Sequence, residues 1–70
     1  MLPVERFANN LRQARIKRGL TQEALENASG LDRSEISLLE RARREPRLST
    51  IVRLARALKM PPKSLLDRIE

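Results

Sequence analysis

The sequence predicts an all-α domain of five helices, and three observations carry that prediction. Apolar residues recur at spacings of three and four along nearly the whole chain. No segment shows the in-out alternation of a half-buried strand. Gly19, Gly30, Pro46 and the pair Pro61-Pro62 punctuate the chain and divide it into five segments.

The first segment places Val4, Phe7, Ala8, Leu11 and Ala14 on one helical face, and a helix over residues 4–18 ends at Gly19. Thr21 is a suitable cap for a second helix, with Ala24, Leu25 and Ala28 turned inward. Gly30 supplies the left-handed backbone that closes it. Asp32 then caps a third helix, with Glu35 three residues on in capping-box relation and Ile36 and Leu39 as the buried side. Glu45-Pro46 ends that region, because a residue before proline avoids the helical conformation. Leu48, Ile51, Val52, Ala55 and Leu58, widened by Leu54, mark a fourth helix. Pro61-Pro62 breaks the chain and opens a short fifth helix with Leu65, Leu66 and Ile69 apolar.

The stretch "TQEALENASGLDRSEIS", residues 21–37, poses a physical question. A helix of eight or nine residues is marginal in water. Breaking the segment at Gly30 sacrifices the stability of one longer helix, so two short helices at a fixed angle must serve a purpose.

Composition narrows what that purpose is. Seventy residues make one domain, residues 1–70, with a modest core. With no Cys and no His, disulfides, thiolate metal sites and Ser-His or Cys-His catalysis are ruled out, and no metal or cofactor is expected. No phosphate-cradling glycine motif is present, and nine scattered carboxylates offer no catalytic constellation, so an enzyme is not expected. No apolar run reaches membrane-spanning length and no secretory h-region is seen, which reads as a soluble intracellular chain with no membrane partner. The 15 Lys+Arg against 9 Asp+Glu give a net charge of +6, and twelve of the bases are Arg. That balance on so small a body favours a polyanion, most often nucleic acid, over a merely well-solvated surface. Phe7 is the only aromatic residue, which disfavours base-stacking readers of single strands and leaves duplex DNA as the better partner.

With the helices laid out, "LRQARIKRGLTQEAL", "SGLDRSEISLLER" and "EPRLSTIVRLARALKMPPKSLL" resemble the helix-turn-helix family of lambda-type repressors, Cro proteins and XRE-like regulators. The likeness is strongest to small single-domain members, among them controller proteins of restriction-modification systems, and runs from about Phe7 to Leu66. It implies a five-helix lambda-repressor-like domain with its helix-turn-helix at about residues 21–41. One helix lies across the DNA backbone, the next enters the major groove, and the turn at Gly30 sets the angle between them.

On the third helix, residues 33, 34, 37 and 38 share a side away from Ile36 and Leu39, and the resemblance turns that side to base edges. Arg33 can bind guanine O6 and N7 in bidentate fashion, or a phosphate instead. Ser34 and Ser37 are small enough for bases or phosphates. Leu38 either packs on a thymine methyl or covers helix four. Glu35 can accept from cytosine N4, although its capping-box role is preferred. Thr21 and Gln22, at the start of helix two, are expected to meet a phosphate, the alternative for Gln22 being a solvated side chain. The run "RARREPR" brings Arg41, Arg43, Arg44 and Arg47 after the third helix, where the family contacts flanking phosphates; otherwise it is a solvated charge run. Arg15 and Glu40 match a structural ion pair of the family.

Four positions depart from the family pattern. Glu26 stands where helix two usually has a small Ala, Ala42 and Lys59 replace common glycines, and Arg47 replaces a capping Ser or Thr. Glu26 is expected to be partly desolvated against helix three, a local defect that Ala would relieve with a higher melting temperature. The resemblance further implies a homodimer on a near-palindromic operator, with Val52, Leu65, Leu66 and Ile69 as its interface; the alternative is that these four close the monomer core. The reading is a cytoplasmic transcription regulator, bacterial or phage-encoded, that binds double-stranded DNA and needs no small-molecule ligand. An antitoxin or adaptor that chiefly holds a protein partner is the alternative.

Overall fold

Five helices and no strand make up the computed structural model, which describes residues 1–70: α1 (Pro3–Lys17), α2 (Gln22–Ser29), α3 (Arg33–Glu40), α4 (Leu48–Ala57) and α5 (Pro62–Leu65). Each helix opens with a residue in extended conformation, and local chemistry sets two of these starts. Pro3 fills the first turn of α1, where no amide hydrogen is needed, and the Leu2 amide donates to Glu5 Oε1 at 2.9 Å. The Ala24 amide donates to Thr21 Oγ1 at 3.0 Å and caps α2 as the sequence implies.

Three helices end in the same way. After α1, Leu20 N–H donates to Arg15 C=O at 3.1 Å and Gly19 N–H to Ile16 C=O at 2.8 Å. After α3, Arg43 N–H donates to Leu38 C=O at 2.9 Å and Ala42 N–H to Leu39 C=O at 3.2 Å. After α4, Met60 N–H donates to Ala55 C=O at 3.0 Å and Lys59 N–H to Arg56 C=O at 3.1 Å. These paired bonds form the Schellman ending, which needs a left-handed residue in its middle. Gly19, Ala42 and Lys59 take that conformation at φ +72°, +58° and +55°. Two of the three endings are therefore built without glycine, and α3 and α4 stop where the family's glycines would stop them.

The core joins all five helices: Phe7 and Leu11 from α1, Leu25 from α2, Ile36 and Leu39 from α3, Ile51, Leu54 and Ala55 from α4, Leu58 after it, and Leu65 from α5. Asn10 ties the ends of this body together, donating to the carbonyls of Leu65 at 3.0 Å and Asp67 at 2.8 Å. No helix is long and apolar enough to cross a membrane.

Four expectations need correction. α1 begins and ends one residue earlier than the periodicity suggests. Ala28 is exposed and Ser29 is buried in its place, because α2 packs on both α3 and α4 and turns its inner face toward Leu25 and Ser29. Leu48 is 76% exposed: the buried stripe of α4 runs through Ile51, Leu54, Ala55 and Leu58, and Leu48 lies at its margin. The Asp32–Glu35 capping box does not form; Asp32 accepts from the Ser34 hydroxyl at 2.9 Å, and Glu35 pairs with Arg44.

Candidate nucleic-acid interface

The exposed side of α3 faces an open depression between α2 and α3. Arg33, Ser34, Ser37 and Leu38, the four residues expected to meet base edges, all line it. Their spacing puts them on adjacent rows of one helical face, while Ile36, Leu39 and Glu40 anchor the opposite face in the core. Leu38 is only half-buried there. Gln22 and Arg41 border the same depression, as do the carboxylates of Glu23, Glu26 and Asp32.

The remaining arginines divide around α3. Arg41 and Arg43 border a second hollow with Arg12 and Asn9 of α1. Arg44, Arg47 and Arg53 border a third beside the start of α4. The run that reads as one basic stretch in the sequence thus divides between Arg43 and Arg44 and lines two separate hollows beside α3. Arg44 is shared with Glu35, and Arg41 Nε donates to its own helix at Ser37 C=O, 3.2 Å away.

Gln22 links the depression to the most buried charge pair. Glu40 is 4% exposed and accepts Arg15 Nε at 2.6 Å, Arg15 Nη2 at 3.0 Å and Gln22 Nε2 at 3.2 Å. The remaining guanidinium nitrogen, Arg15 Nη1, donates to Leu20 C=O at 2.8 Å. The hydrogen bonds Arg15 donates to Glu40, together with the carboxylate's charge, push the Arg15 pKa further up than burial pulls it down. The pair joins α1 to α3. Gln22 is not a free solvated side chain: the Glu40 bond fixes its amide beside the groove. Thr21 spends an acceptor site of its hydroxyl on capping α2 and keeps the O–H for another acceptor.

Two residues that hold the helix-turn-helix were not singled out for that role by sequence reasoning. Arg53, on α4, donates Nε to Ser29 C=O at 3.3 Å and Nη2 to Gly30 C=O at 3.1 Å, satisfying the end of α2 from another helix. A β-carbon at Gly30 would stand 2.7 Å from that Nη2, so a side chain there would displace the Arg53 guanidinium as well as strain the backbone at φ +75°. Glu26, expected to be a defect, instead accepts the Arg33 amide at 2.9 Å. Its departure from the family's small residue was the only signal that it has a task of its own.

A separate apolar depression is lined by Pro3, Val4, Phe7, Pro46, Ile51, Leu66 and Ile69, with Glu45, which also borders the third hollow, at its edge. Leu66 is 37% exposed, and Val52 and Ile69 are half-buried. Leu65 is 0% exposed and belongs wholly to the core, so its place in the expected interface is withdrawn: with Leu66 adjacent and about 100° away on the helix, only one of the two can face inward.

Comparison with known proteins agrees with this geometry. A family model described as helix-turn-helix matches residues 11–65. The chain is 44% identical over 50 residues to the uncharacterized HTH-type transcriptional regulator y4dJ of Sinorhizobium fredii, a match covering 71% of this chain and 65% of that protein. It is 42% identical over 64 residues to the control protein C.SmaI of Serratia marcescens, covering 91% of this chain and 76% of that one. Its structure superposes on the crystal structure of the restriction-modification controller protein C.AhdI from Aeromonas hydrophila with a TM-score of 0.86 and 42% identity, over 89% of this chain and 94% of that chain.

Proposed function

The chain belongs to the helix-turn-helix family, and from that premise we propose that it is a sequence-specific, duplex-DNA-binding transcription regulator of the controller kind. The observation that carries the reading is the convergence of Arg33, Ser34, Ser37 and Leu38 on one open face of α3. In this reading α3 enters the major groove, Arg33 contacts a guanine, and Leu38 meets a thymine methyl. Thr21, Gln22 and Arg41 contact one flanking strand; Arg43 and Arg44 reach further phosphates.

A single α3 of eight residues reads only a few base pairs. The protein acts as a homodimer through Val52, Leu66 and Ile69, together with the apolar depression that Leu66 and Ile69 border. Two-fold symmetry then sets the two recognition helices about 34 Å apart, one turn of DNA, on a near-palindromic site. The protein works in the cytoplasm, without cofactor, and carries out no catalytic step. Selection of bound sites from a random duplex library tests the reading. A palindromic consensus whose half-sites lie one turn apart is expected; recovery of unselected sequence at every round would overturn it.

A further inference from the structure

We propose that Glu26 is a positioning residue for DNA recognition, one that fixes where α3 starts and so where Arg33 points. The inference rests on the DNA-reading function above and deepens it.

The first amides of a helix have no partner within it, and a side chain just before the helix usually supplies one. In α3 that supplier is missing. Asp32 occupies the capping position with extended backbone, yet its carboxylate accepts from the Ser34 hydroxyl and not from a backbone amide. Glu26, seven residues back and on the preceding helix, takes over: its Oε2 accepts the Arg33 amide at 2.9 Å. The carbonyl of the same residue accepts the Gly30 amide at 2.8 Å, the bond that closes α2. One residue therefore ends the first helix of the motif with its backbone and begins the second with its side chain. A turn of Gly30, Leu31 and Asp32 leaves the inter-helix angle several soft torsions; the Glu26 bond closes a ring around that turn and removes them. The carboxylate also stands at the positive end of the α3 dipole, where a negative charge is favourable.

The amide so held belongs to Arg33, the residue whose guanidinium must meet a base in plane. Bidentate recognition is sensitive to small displacements of the side chain's root. Glu26 touches no base in this account; it acts through Arg33. Without it, Asp32 is free to leave Ser34 and cap α3 locally. The helix then survives while its first turn and the Arg33 side chain are re-aimed.

The test compares the parent chain with Glu26→Ala and Glu26→Gln, since a glutamine carbonyl can accept the same amide. Backbone amide exchange, read residue by residue in the free protein, is expected to show Arg33 at least tenfold faster in Glu26→Ala and within about threefold of the parent in Glu26→Gln. Binding to the selected duplex and to a scrambled one is expected to show the specificity ratio falling about tenfold in Glu26→Ala. That loss should concentrate at the base pair read by Arg33, and Glu26→Gln should rescue it. An equal loss of affinity for every sequence would mark Glu26 as a contributor to stability alone and overturn the proposal. So would unchanged Arg33 exchange in Glu26→Ala, or a Glu26→Gln protein as unspecific as Glu26→Ala. A parent chain without sequence preference would sink the DNA-reading function itself and this role with it. Faster Arg33 exchange in Glu26→Ala would then show only that the hydrogen bond exists.

Discussion

Replacing Lys59 with glycine should make the protein more stable, although it removes a side chain and adds backbone freedom. Lys59 sits at φ +55° in the middle of the α4 ending, its side chain is exposed, and it makes no ion pair. A residue with a β-carbon pays about 1–2 kcal/mol for that conformation. Glycine relieves the strain but gains unfolded-state entropy, which offsets about 0.4–1 kcal/mol. Losing a positive charge near a helix C-terminus offsets about 0.3 kcal/mol more. The remainder is a gain of about 0.5 kcal/mol, and in a domain of this size that raises Tm by about 2–4 °C. Thermal denaturation followed by circular dichroism measures it, with Lys59→Ala as the control that removes the charge and keeps the β-carbon. Gly19→Ala is the mirror experiment. A β-carbon there meets no atom within 4 Å, so the cost is backbone strain less the same unfolded-state entropy, about 0.8 kcal/mol, and Tm should fall by about 3–6 °C. A Lys59→Gly protein that melts no higher than Lys59→Ala would refute the argument from backbone conformation.

Other substitutions probe other parts of the molecule. Glu26→Ala should melt lower, but by less than the roughly 4–8 °C that losing a whole cap of about 1 kcal/mol would cost, because Asp32 recovers part of it; a melt at or above the parent's would restore the view of Glu26 as a defect. Glu40→Ala leaves the half-buried Arg15 guanidinium with only its bond to Leu20 C=O and should cost about 1–3 kcal/mol, measured by urea unfolding. Arg43→Ala with Arg44→Ala should weaken binding to all duplexes about equally and make the salt dependence shallower, by about 0.9 in log-log slope for each lost phosphate contact. Leu66→Asp should leave a folded monomer with much weaker operator binding, whereas an acidic residue at exposed Gln13 should do neither; sedimentation at micromolar concentration distinguishes the two.

Helix number, order and core were legible because apolar spacing, Thr21, Gly19, Gly30 and the prolines all act locally. That residues 33, 34, 37 and 38 share one open face was legible for the same reason: once Ile36 and Leu39 are inside, helical geometry sends them to the other side. The misreadings concern side chains with more than one possible partner. Asp32 and Glu35 have the spacing of a capping box, but Ser34 and Arg44 outcompete the backbone for their carboxylates. Arg53 lies 23 residues from the carbonyl of Gly30, and nothing in its neighbourhood along the chain foretells that bond. Periodicity alone could not say which of Leu65 and Leu66 faces inward, and tertiary packing decides for Leu65.

The stitch made by Asn10 bears on how this chain folds as it is synthesised. Its amide waits for the carbonyls of Leu65 and Asp67, which lie 55 and 57 residues downstream, and Phe7 and Leu11 wait for Leu65 to complete the core. While the ribosome is still adding α4, the recognition helix already exists as sequence, but the hydrophobic floor beneath α1 remains open to water. Domains emerging N-terminus first are most exposed to wrong association at that stage. Here the contacts that close the core over α1 are made by Leu65 and the carbonyls beside it, so the last helix to be synthesised is the one that seals the first.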